Sequence, residues 1–493
     1  MIANPEEENS LDKDLAPHYI KWPTLALLTF VTVIGFEDLV YPFQNQGLAV
    51  VFSWIFMVVA YVLPYELISA QMGSTFSEAG GGLATWSRHA IGDAAGYWTG
   101  WMFWASLLPY LVDVANSVIV SLSWLVLGNN TLDKYMTDKM FGIFTFAVIL
   151  IFLLTQNLVQ HSMEFMSMLG GAAMFIMTIL FVLMTGAGVA AGGFHIATQP
   201  FDWSAFIPKF DTHYFATTGL LIFAVSGAEL GAAYITKMRD PKHEFPKSMI
   251  MLACMSGFLT VFGSLAMGVF FNAHHLPDDL KMNGAFYAFE RLSAAWGLGK
   301  FLLYVYSAVS LTYMLAQLAV LIDASSRVLA VDTSARFMPK WLLRKNKFGR
   351  PIHSYVLTAG ICLFLLLLSG TLPSINSIFN WLLNLNGIVT PYKSCWVFAG
   401  FIALRLHEEK FNSPFVFIKH RWLAILIGAW GFSFAFVCAS LGVLPQEGAV
   451  FSGIWFHQLF LNIISVGVLF GLGGVMPLLA KIGQHEEATT PVE

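Results

Sequence analysis

The chain has 493 residues, of which 57% are hydrophobic and 11% are charged, and its mean hydropathy is +0.67. An ordinary soluble domain has about 25% charged residues, so this composition predicts an all-α protein with many membrane spans. The net charge of −4 offers no basic surface for nucleic acid. The four cysteines show no CxxC spacing, which argues against a disulfide framework or a zinc site. We predict no metal and no cofactor.

Segments of about twenty apolar residues, the length that crosses roughly 30 Å of hydrocarbon, occur twelve times along the chain. They follow an acidic amino-terminal tail without the positive region of a signal peptide, so we expect the first helix to be retained. The predicted spans are 24–44, 48–70, 97–126, 139–156, 163–188, 215–236, 248–271, 299–328, 354–370, 378–404, 421–443 and 456–480.

Lysine and arginine residues are distributed unequally between the two sets of loops. With the amino terminus inside, the cytoplasmic segments hold 19 of them and the outer loops hold 6. Because cytoplasmic loops carry an excess of positive charge, this bias predicts a multi-pass protein of the cell membrane, plasma or inner, with both termini in the cytoplasm. Membrane lipids are therefore one predicted partner.

Two of the spans are interrupted by a glycine that is followed two positions later by a glutamate. The first contains Gly35-Phe36-Glu37-Asp38, and the sixth contains Ser226-Gly227-Ala228-Glu229. Glycine lowers the cost of leaving helical geometry, which frees backbone N–H and C=O groups to meet a ligand. A carboxylate at bilayer depth costs roughly 2.5 kcal/mol or more and so indicates function. Paired interruptions in two halves predict the substrate site of a transporter.

Helices one to five and six to ten are candidate copies of one unit, since each set opens with one of these interruptions. An odd number of helices makes the two copies run oppositely through the membrane, which predicts an inverted repeat. The predicted divisions are a cytoplasmic tail at 1–23, a first five-helix repeat at 24–188, an external connection at 189–214, a second inverted repeat at 215–404, accessory helices eleven and twelve at 405–480 and a cytoplasmic tail at 481–493.

Two loops predict short helices outside the spans. The triple glycine Gly80–Gly82 breaks the chain before an amphipathic stretch, which predicts a half-helix at the cytoplasmic interface. Residues 274–300 place Phe286 and Phe289 on one helical face, which predicts a short external amphipathic helix. The positive charges of the basic loop 335–351 are interpreted as setting the topology, and binding of lipid headgroups is the less favoured alternative.

Three ordered signatures resemble the amino acid-polyamine-organocation superfamily of secondary transporters. They are LPYELISAQMGSTFSEAGGG from the second helix, FAVSGAELGAAYITKMRDPKHEFPKSM from the sixth and SSRVLAVDTSARFMPKWLLRKNKFGRP from the eighth. The resemblance covers roughly residues 24–440. It implies a LeuT-like fold, in which two inverted five-helix repeats with discontinuous helices one and six are followed by two accessory helices. It also implies alternating access for amino acids or amines.

The first interruption departs from the superfamily pattern. Where the superfamily commonly carries G-S-G, whose amides hold a substrate carboxylate, this chain has Gly35-Phe36-Glu37-Asp38. That replacement, together with Glu229, is similar to the branch of glutamate/GABA antiporters and implies exchange. The carboxyl tail is too short to form the pore-blocking plug known in that branch.

Five acids within the predicted spans, Glu37, Asp38, Glu66, Asp113 and Glu229, and one lysine, Lys393, are considered for function. Asp113 is either a ligand or proton site or one half of a buried ion pair, for which Lys393 is the obvious partner. An unpaired ammonium is costly there, so Lys393 should face an acid, a substrate carboxylate or water. Glu66 is interpreted as structural. Glu229 is the preferred proton-coupling residue, because a desolvated carboxyl group can bind and release a proton as the site alternates.

Glu37 and Asp38 cannot both face one cavity from an intact helix, but at a break at least one is predicted on the substrate pathway. The alternative is that both lie at a water-exposed helix end. Polar groups of helix eight recur at helical spacing and either line the same cavity or pack against other helices. The predicted substrate-binding residues are Ile34, Gly35, Phe36, Glu37, Asp38, Asp113, Phe223, Ser226, Gly227, Ala228, Ser310, Tyr313 and Lys393. The predicted proton-coupling or gating residues are Glu229, Glu37, Asp113 and Lys393.

The predicted function is secondary active transport of an amino acid or related amine, by antiport with pH or proton sensitivity. A proton-coupled symporter is the alternative, with the proton as a further partner. A membrane enzyme would need a nucleophile or a metal-binding motif, and the sequence offers neither, so no catalytic residue is predicted. A sensor usually carries an appended domain. The acids favour a substrate with a positive group, either an amino acid or a diamine, bound by a monomer or a homodimer.

Overall fold

The computed structural model describes residues 19–79, 82–327, 329, 336–344, 352–446 and 448–489. Predictions for most of the amino-terminal tail, for two glycines of the triple glycine, for parts of the basic loop 335–351 and for the last four residues lie outside the described residues.

The described part of the chain is all-α, as predicted, with one isolated bridge between Ile20 and Met238. Its helices of eight or more residues are α1 (Trp22–Val33), α2 (Glu37–Gln46), α3 (Ala49–Thr75), α4 (Leu83–Ala90), α5 (Asp93–Leu127), α6 (Asp138–Ala190), α7 (Thr212–Ala224), α8 (Pro241–Phe270), α9 (Leu280–Ala295), α10 (Phe301–Arg327), α11 (Ile352–Ser369), α12 (Ile375–Leu406), α13 (Arg421–Gly442) and α14 (Gly453–Thr489).

Eleven segments among the described residues are long and apolar enough to cross a membrane. The predicted first span, 24–44, is instead divided between α1 and α2, each shorter than a membrane-crossing helix. The total of twelve spans and the inverted repeat therefore stay predictions. The two short helices predicted outside the spans are present as α4 and α9.

The fourth and fifth predicted spans are both present as segments long and apolar enough to cross a membrane. Both lie in the single helical element α6, as the segments Asp138–Thr155 and Leu169–Ala190. Phe141 contacts Phe379 near the start of α12, and Phe181 contacts Phe289 in α9. Helices α9 and α12 lie against each other, so both ends of α6 reach the same region of the bundle.

Helix α3 has a local irregularity with an identifiable cause. Pro64 lacks the N–H that would bond the carbonyl of Ala60, and residues Val58–Val62 adopt π-helical geometry just before it. The indole Nε1 of Trp430 in α13 donates to the Ala60 carbonyl oxygen at 2.9 Å. A side chain from another helix thus donates to the carbonyl that Pro64 cannot bond.

The two glycine interruptions meet in the centre of the bundle. Helix α1 ends at Val33, and α7 ends at Ala224. Gly227 has φ +137°, a conformation that residues with side chains rarely adopt, and a Cβ placed there would lie 2.9 Å from a methyl carbon of Val33. The predicted site requires that neither interruption be a continuous helix facing lipid, and both interruptions meet this requirement.

Helices α7 and α12 also approach each other through glycines. A Cβ on Gly219 would lie 2.1 Å from the carbonyl oxygen of Gly387, which leaves no room for any side chain. Close backbone contact through small residues is typical of membrane helices. This contact brings the carboxyl half of α12, including Lys393, beside the second interruption.

Candidate functional site

The first interruption is closed by a carboxylate from its own segment. Ile34 has extended backbone geometry, and the N–H of Gly35 donates to Asp38 Oδ2 at 2.7 Å. A Cβ on Gly35 would lie 2.9 Å from Glu37 Oε2, so a side chain at this position would require that carboxylate to move. The carboxylate of Asp38 therefore accepts a hydrogen bond from a backbone amide that lies in the break.

Glu37 connects the first interruption to α10. The Tyr306 hydroxyl donates to Glu37 Oε1 at 2.5 Å, and the Ser310 hydroxyl donates to the same oxygen at 3.2 Å. Phe36 points elsewhere, because its ring packs within 4.9 Å of the rings of Phe181 and Phe289. Phe36 anchors the break in an aromatic cluster and does not line the cavities at the centre of the bundle.

The second interruption contains a buried ion pair. Lys393 Nζ donates to Glu229 Oε1, and the hydroxyl of Tyr65 donates to Glu229 Oε2 at 2.8 Å. Of the partners left open for Lys393, the structure gives an acid, and that acid is Glu229 and not Asp113, since the approach of α12 to the second interruption places the ammonium beside Glu229. The ammonium also lies 5.3 Å from the ring centroid of Phe103.

A small central cavity lies between the two interruptions. Its volume is about 40 Å³, close to the roughly 30 Å³ that one water molecule occupies in the liquid. Asp38 supplies an acid to its wall, and Lys393 supplies a cation. The other lining groups include Phe103, Ser106 and Tyr110 of α5, Phe223, Ser226 and Gly227 of the second interruption and Thr390 of α12.

A second cavity, which we call the acidic chamber, shares Asp38 and Tyr110 with the central cavity. Its volume is about 10 Å³. Its carboxyl groups are those of Glu37, Asp38 and Asp113, and among the described residues its lining includes no lysine, arginine or histidine. The remaining lining residues are Gly35, Tyr41, Val114, Ser117, Tyr313, Met314 and Gln317.

A larger vestibule of about 380 Å³ lies at the end of the bundle where α2 ends and α12 begins. The sequence analysis missed it, although Asn376, Asn380 and Asn384 recur at four-residue intervals along one face of α12. The vestibule is also lined by Gln44, Asn45, His213, Asp278, Lys281, Ser377, Trp381, Gln446 and Gln458.

The structure places the predicted residues in three groups. Gly35, Glu37, Asp38, Asp113 and Tyr313 line the acidic chamber, and Asp38, Phe223, Ser226, Gly227 and Lys393 line the central cavity. Ile34, Phe36, Ala228, Glu229 and Ser310 are buried behind these walls. The sequence analysis missed Ser106, Tyr110 and Thr390 as lining residues. No group of three or more His, Cys, Asp or Glu residues in the described ranges forms a metal-binding cluster.

Comparison with known proteins relates the chain to transporters. A family model described as "Amino acid permease" matches residues 20–474. The chain is 36% identical over 479 residues to the aspartate/glutamate permease AcaP of Lactococcus lactis subsp. cremoris, a match that covers 96% of this chain and 98% of that protein. It is 23% identical over 394 residues to the probable agmatine/putrescine antiporter AguD of Lactococcus lactis subsp. lactis, covering 79% and 80% of the two chains.

A solved structure has a similar fold. A mutant of the manganese transporter from Eremococcus coleocola superposes with a TM-score of 0.57, covering 94% of this chain and 96% of that chain. The sequences are 11% identical, so this likeness shows the fold alone.

Proposed function

Since the chain belongs to the amino acid permease family, as the sequence signatures predicted, we propose that it transports acidic amino acids, aspartate or glutamate, by alternating access. The observation that carries this proposal is the pair of opposite charges on one cavity wall, Asp38 and Lys393. An acidic amino acid has one ammonium and two carboxylates, which matches an acid and a cation across a small cavity. The relative that is 36% identical is named for the same two substrates.

In this proposal Asp38 binds the substrate ammonium, and Lys393 binds the side-chain carboxylate. Lys393 is 4% exposed, and its contact with Glu229 uses one donor of an ammonium that has three. Glu229 is held in turn by Tyr65, so the pair orients the cation without requiring all of its donors. Hydroxyl groups of Ser106, Ser226 and Thr390 lie in the same wall. Those of Ser106 and Ser226 donate to backbone carbonyls in this conformation, so they would have to turn to donate to the remaining carboxylate.

The central cavity has to enlarge before an amino acid fits. Small-molecule sites ordinarily measure roughly 300 Å³ or more, and this cavity is about 40 Å³. The conformation described here is therefore one in which the site is closed. We propose that substrate enters through the 380 Å³ vestibule and binds at the centre when the helices around the two interruptions separate.

Two contacts join segments at the face of the bundle that contains Trp22, which we call the N-terminal face. The N–H of Ile20 donates to the carbonyl of Lys237 at 2.9 Å, and Lys242 forms an ion pair with Glu78 at 2.6 Å. We propose that this face is cytoplasmic, as the distribution of lysine and arginine predicts, and that the vestibule opens outside. Release to the cytoplasm then requires both contacts to break.

A second candidate is exchange of an amino acid for a cationic amine. It is favoured by the three carboxylates of the acidic chamber, which have no cation in their lining, and by the 23% identity to an antiporter named for agmatine and putrescine. We place it second because Lys393 would repel a diamine from the central cavity. Exchange is distinguished from symport by whether uptake depends on a substrate loaded into the vesicle lumen.

The test is uptake into proteoliposomes that contain the purified full chain. Radiolabelled L-aspartate, L-glutamate and putrescine are each offered outside, with the lumen empty or loaded with unlabelled L-aspartate, putrescine or GABA. We expect saturable uptake of both acidic amino acids and none of putrescine. Uptake of putrescine with exclusion of aspartate would replace the first proposal by the second. A lumen requirement for a loaded substrate would show exchange.

A further inference from the structure

We propose that Asp113 binds the proton that accompanies the substrate and that the acidic chamber is the site where this proton is held. The inference rests on the proposed function, since it names the coupling group of the same transport cycle. It assigns the role that the sequence analysis preferred for Glu229 to a different residue.

The hydrogen-bond partners of the intramembrane acids distinguish them. Glu229 accepts hydrogen bonds from a lysine and a tyrosine, and Glu37 accepts them from two hydroxyl groups. Asp38 accepts one from the amide of Gly35. Asp113 is 2% exposed, and its Oδ1 atom has no hydrogen-bond partner among the described residues. A buried carboxylate without donors loses its hydration with nothing in return, and it becomes neutral by binding a proton.

Glu37 and Glu66 also have a buried oxygen without a partner among the described residues, in each case Oε2, but Glu37 accepts two hydrogen bonds at its other oxygen. Glu66 lines neither the central cavity nor the acidic chamber, whereas Asp113 lines the chamber that shares Asp38 with the central cavity. Among the described residues, Asp113 is therefore the acid of the chamber whose carboxylate has no hydrogen-bond donor.

The polar groups that line the acidic chamber around Asp113 are acids, hydroxyls and one amide. Helix α2 contributes Glu37, Asp38 and Tyr41, α5 itself contributes Tyr110, and α10 contributes Tyr313 and the amide of Gln317. Carboxylates that share a site disfavour each other's ionised form. Because the other two carboxylates have donors, the proton that relieves this repulsion binds Asp113.

Asp38 connects the proton to the substrate. A proton on Asp113 removes one negative charge from the chamber, which allows Asp38 to stay ionised and to receive the substrate ammonium. The carboxylate of Asp113 takes up one proton when the site is open to the proton-rich side, and the carboxylic acid releases it after the site opens to the other side. One proton thus crosses the membrane with each substrate.

The test compares wild type with Asp113→Asn, which resembles the protonated form. Proteoliposomes are given an inward pH gradient with sodium replaced by choline, and both L-aspartate accumulation and luminal acidification are followed. Wild type should accumulate aspartate at least tenfold and acidify the lumen. Asp113→Asn should catalyse exchange of labelled for unlabelled aspartate without accumulation or acidification, whereas the matched variant Glu66→Gln should behave as wild type.

Gradient-driven accumulation by Asp113→Asn would overturn the inference, as would wild-type accumulation that needs sodium and ignores pH. If Asp113→Asn does not fold, the conservative Asp113→Glu variant replaces it. We then expect the pH of half-maximal uptake to move, and an unchanged pH profile would overturn the proposal. Failure of wild type to exchange aspartate at all would refute the proposed function instead.

Discussion

Replacement of Lys393 by methionine separates the structural role of this residue from its proposed binding role. Methionine keeps most of the length and apolar surface of the side chain while removing the charge. The single variant leaves the carboxylate of Glu229 buried with Tyr65 as its one remaining side-chain donor. Breaking a buried ion pair in this way costs about 3–5 kcal/mol, so Lys393→Met should be markedly less stable than wild type.

The double variant Lys393→Met with Glu229→Gln removes both charges and should recover most of that loss, because no uncompensated charge stays buried. Its binding of acidic substrates should nevertheless fail. A hydrogen bond to a charged group contributes about 1.5–3 kcal/mol. Since about 1.4 kcal/mol corresponds to a factor of ten, aspartate should bind the double variant roughly 10- to 150-fold more weakly.

The assay measures thermal unfolding in detergent and the concentration of L-aspartate that half-saturates uptake, with L-asparagine as an inhibitor that lacks the side-chain charge. Wild type should prefer aspartate to asparagine by about the same 10- to 150-fold, and the double variant should lose this preference. Lys410→Met, on an exposed surface, serves as the charge-matched control. A folded double variant that keeps the wild-type preference for aspartate would refute the role of Lys393.

Three further changes test the scaffold around the site. Gly227→Ala adds a side chain at φ +137°, which should cost about 1–3 kcal/mol and lower both the melting temperature and the transport rate. Trp430→Phe removes the donor to the Ala60 carbonyl and should cost about 1–3 kcal/mol in thermal unfolding without changing substrate selectivity. Lys242 lowers the pKa of Glu78, so their ion pair stabilises the folded protein at pH 6. This stabilisation is lost as the pH falls below 4.5 and Glu78 binds a proton. The difference in melting temperature between wild type and Glu78→Gln should accordingly vanish at low pH.

The sequence predicted the positions of both helix breaks because glycine and a nearby intramembrane acid are local features. Gly35 and Gly227 both lie where the structure leaves helical geometry. The all-α fold and the family membership are confirmed for the same reason, since apolar length and ordered signatures can be counted along the chain.

The partners of the buried charges could not be predicted from the sequence. Glu229 and Lys393 are 164 residues apart, and their contact depends on the approach of α7 to α12 at Gly219 and Gly387. Asp113 was an equally reasonable partner by composition. Only the packing shows which acid receives the lysine and which is left without a donor.

The vestibule was missed because its polar residues come from many separate segments, and single asparagines in a span read as ordinary packing groups. The repeat of Asn376, Asn380 and Asn384 along α12 was the local signal that was available. The fourth and fifth spans are both present, but the sequence analysis did not foresee that helical geometry continues between them in α6. Neither residue composition nor span length distinguishes a helical connection from a loop.

The central claim, that an acidic amino acid binds between the two broken helices, is tested most directly by substrate protection of a cysteine placed in the cavity. Ser106→Cys in a Cys254→Ser background puts a thiol in the cavity wall and removes the exposed native one. The rate of modification by a small methanethiosulfonate reagent is measured during turnover with and without saturating L-aspartate. We predict that aspartate slows the reaction at least fivefold and that putrescine does not. A rate that aspartate leaves unchanged, in a variant that still transports it, would contradict the account.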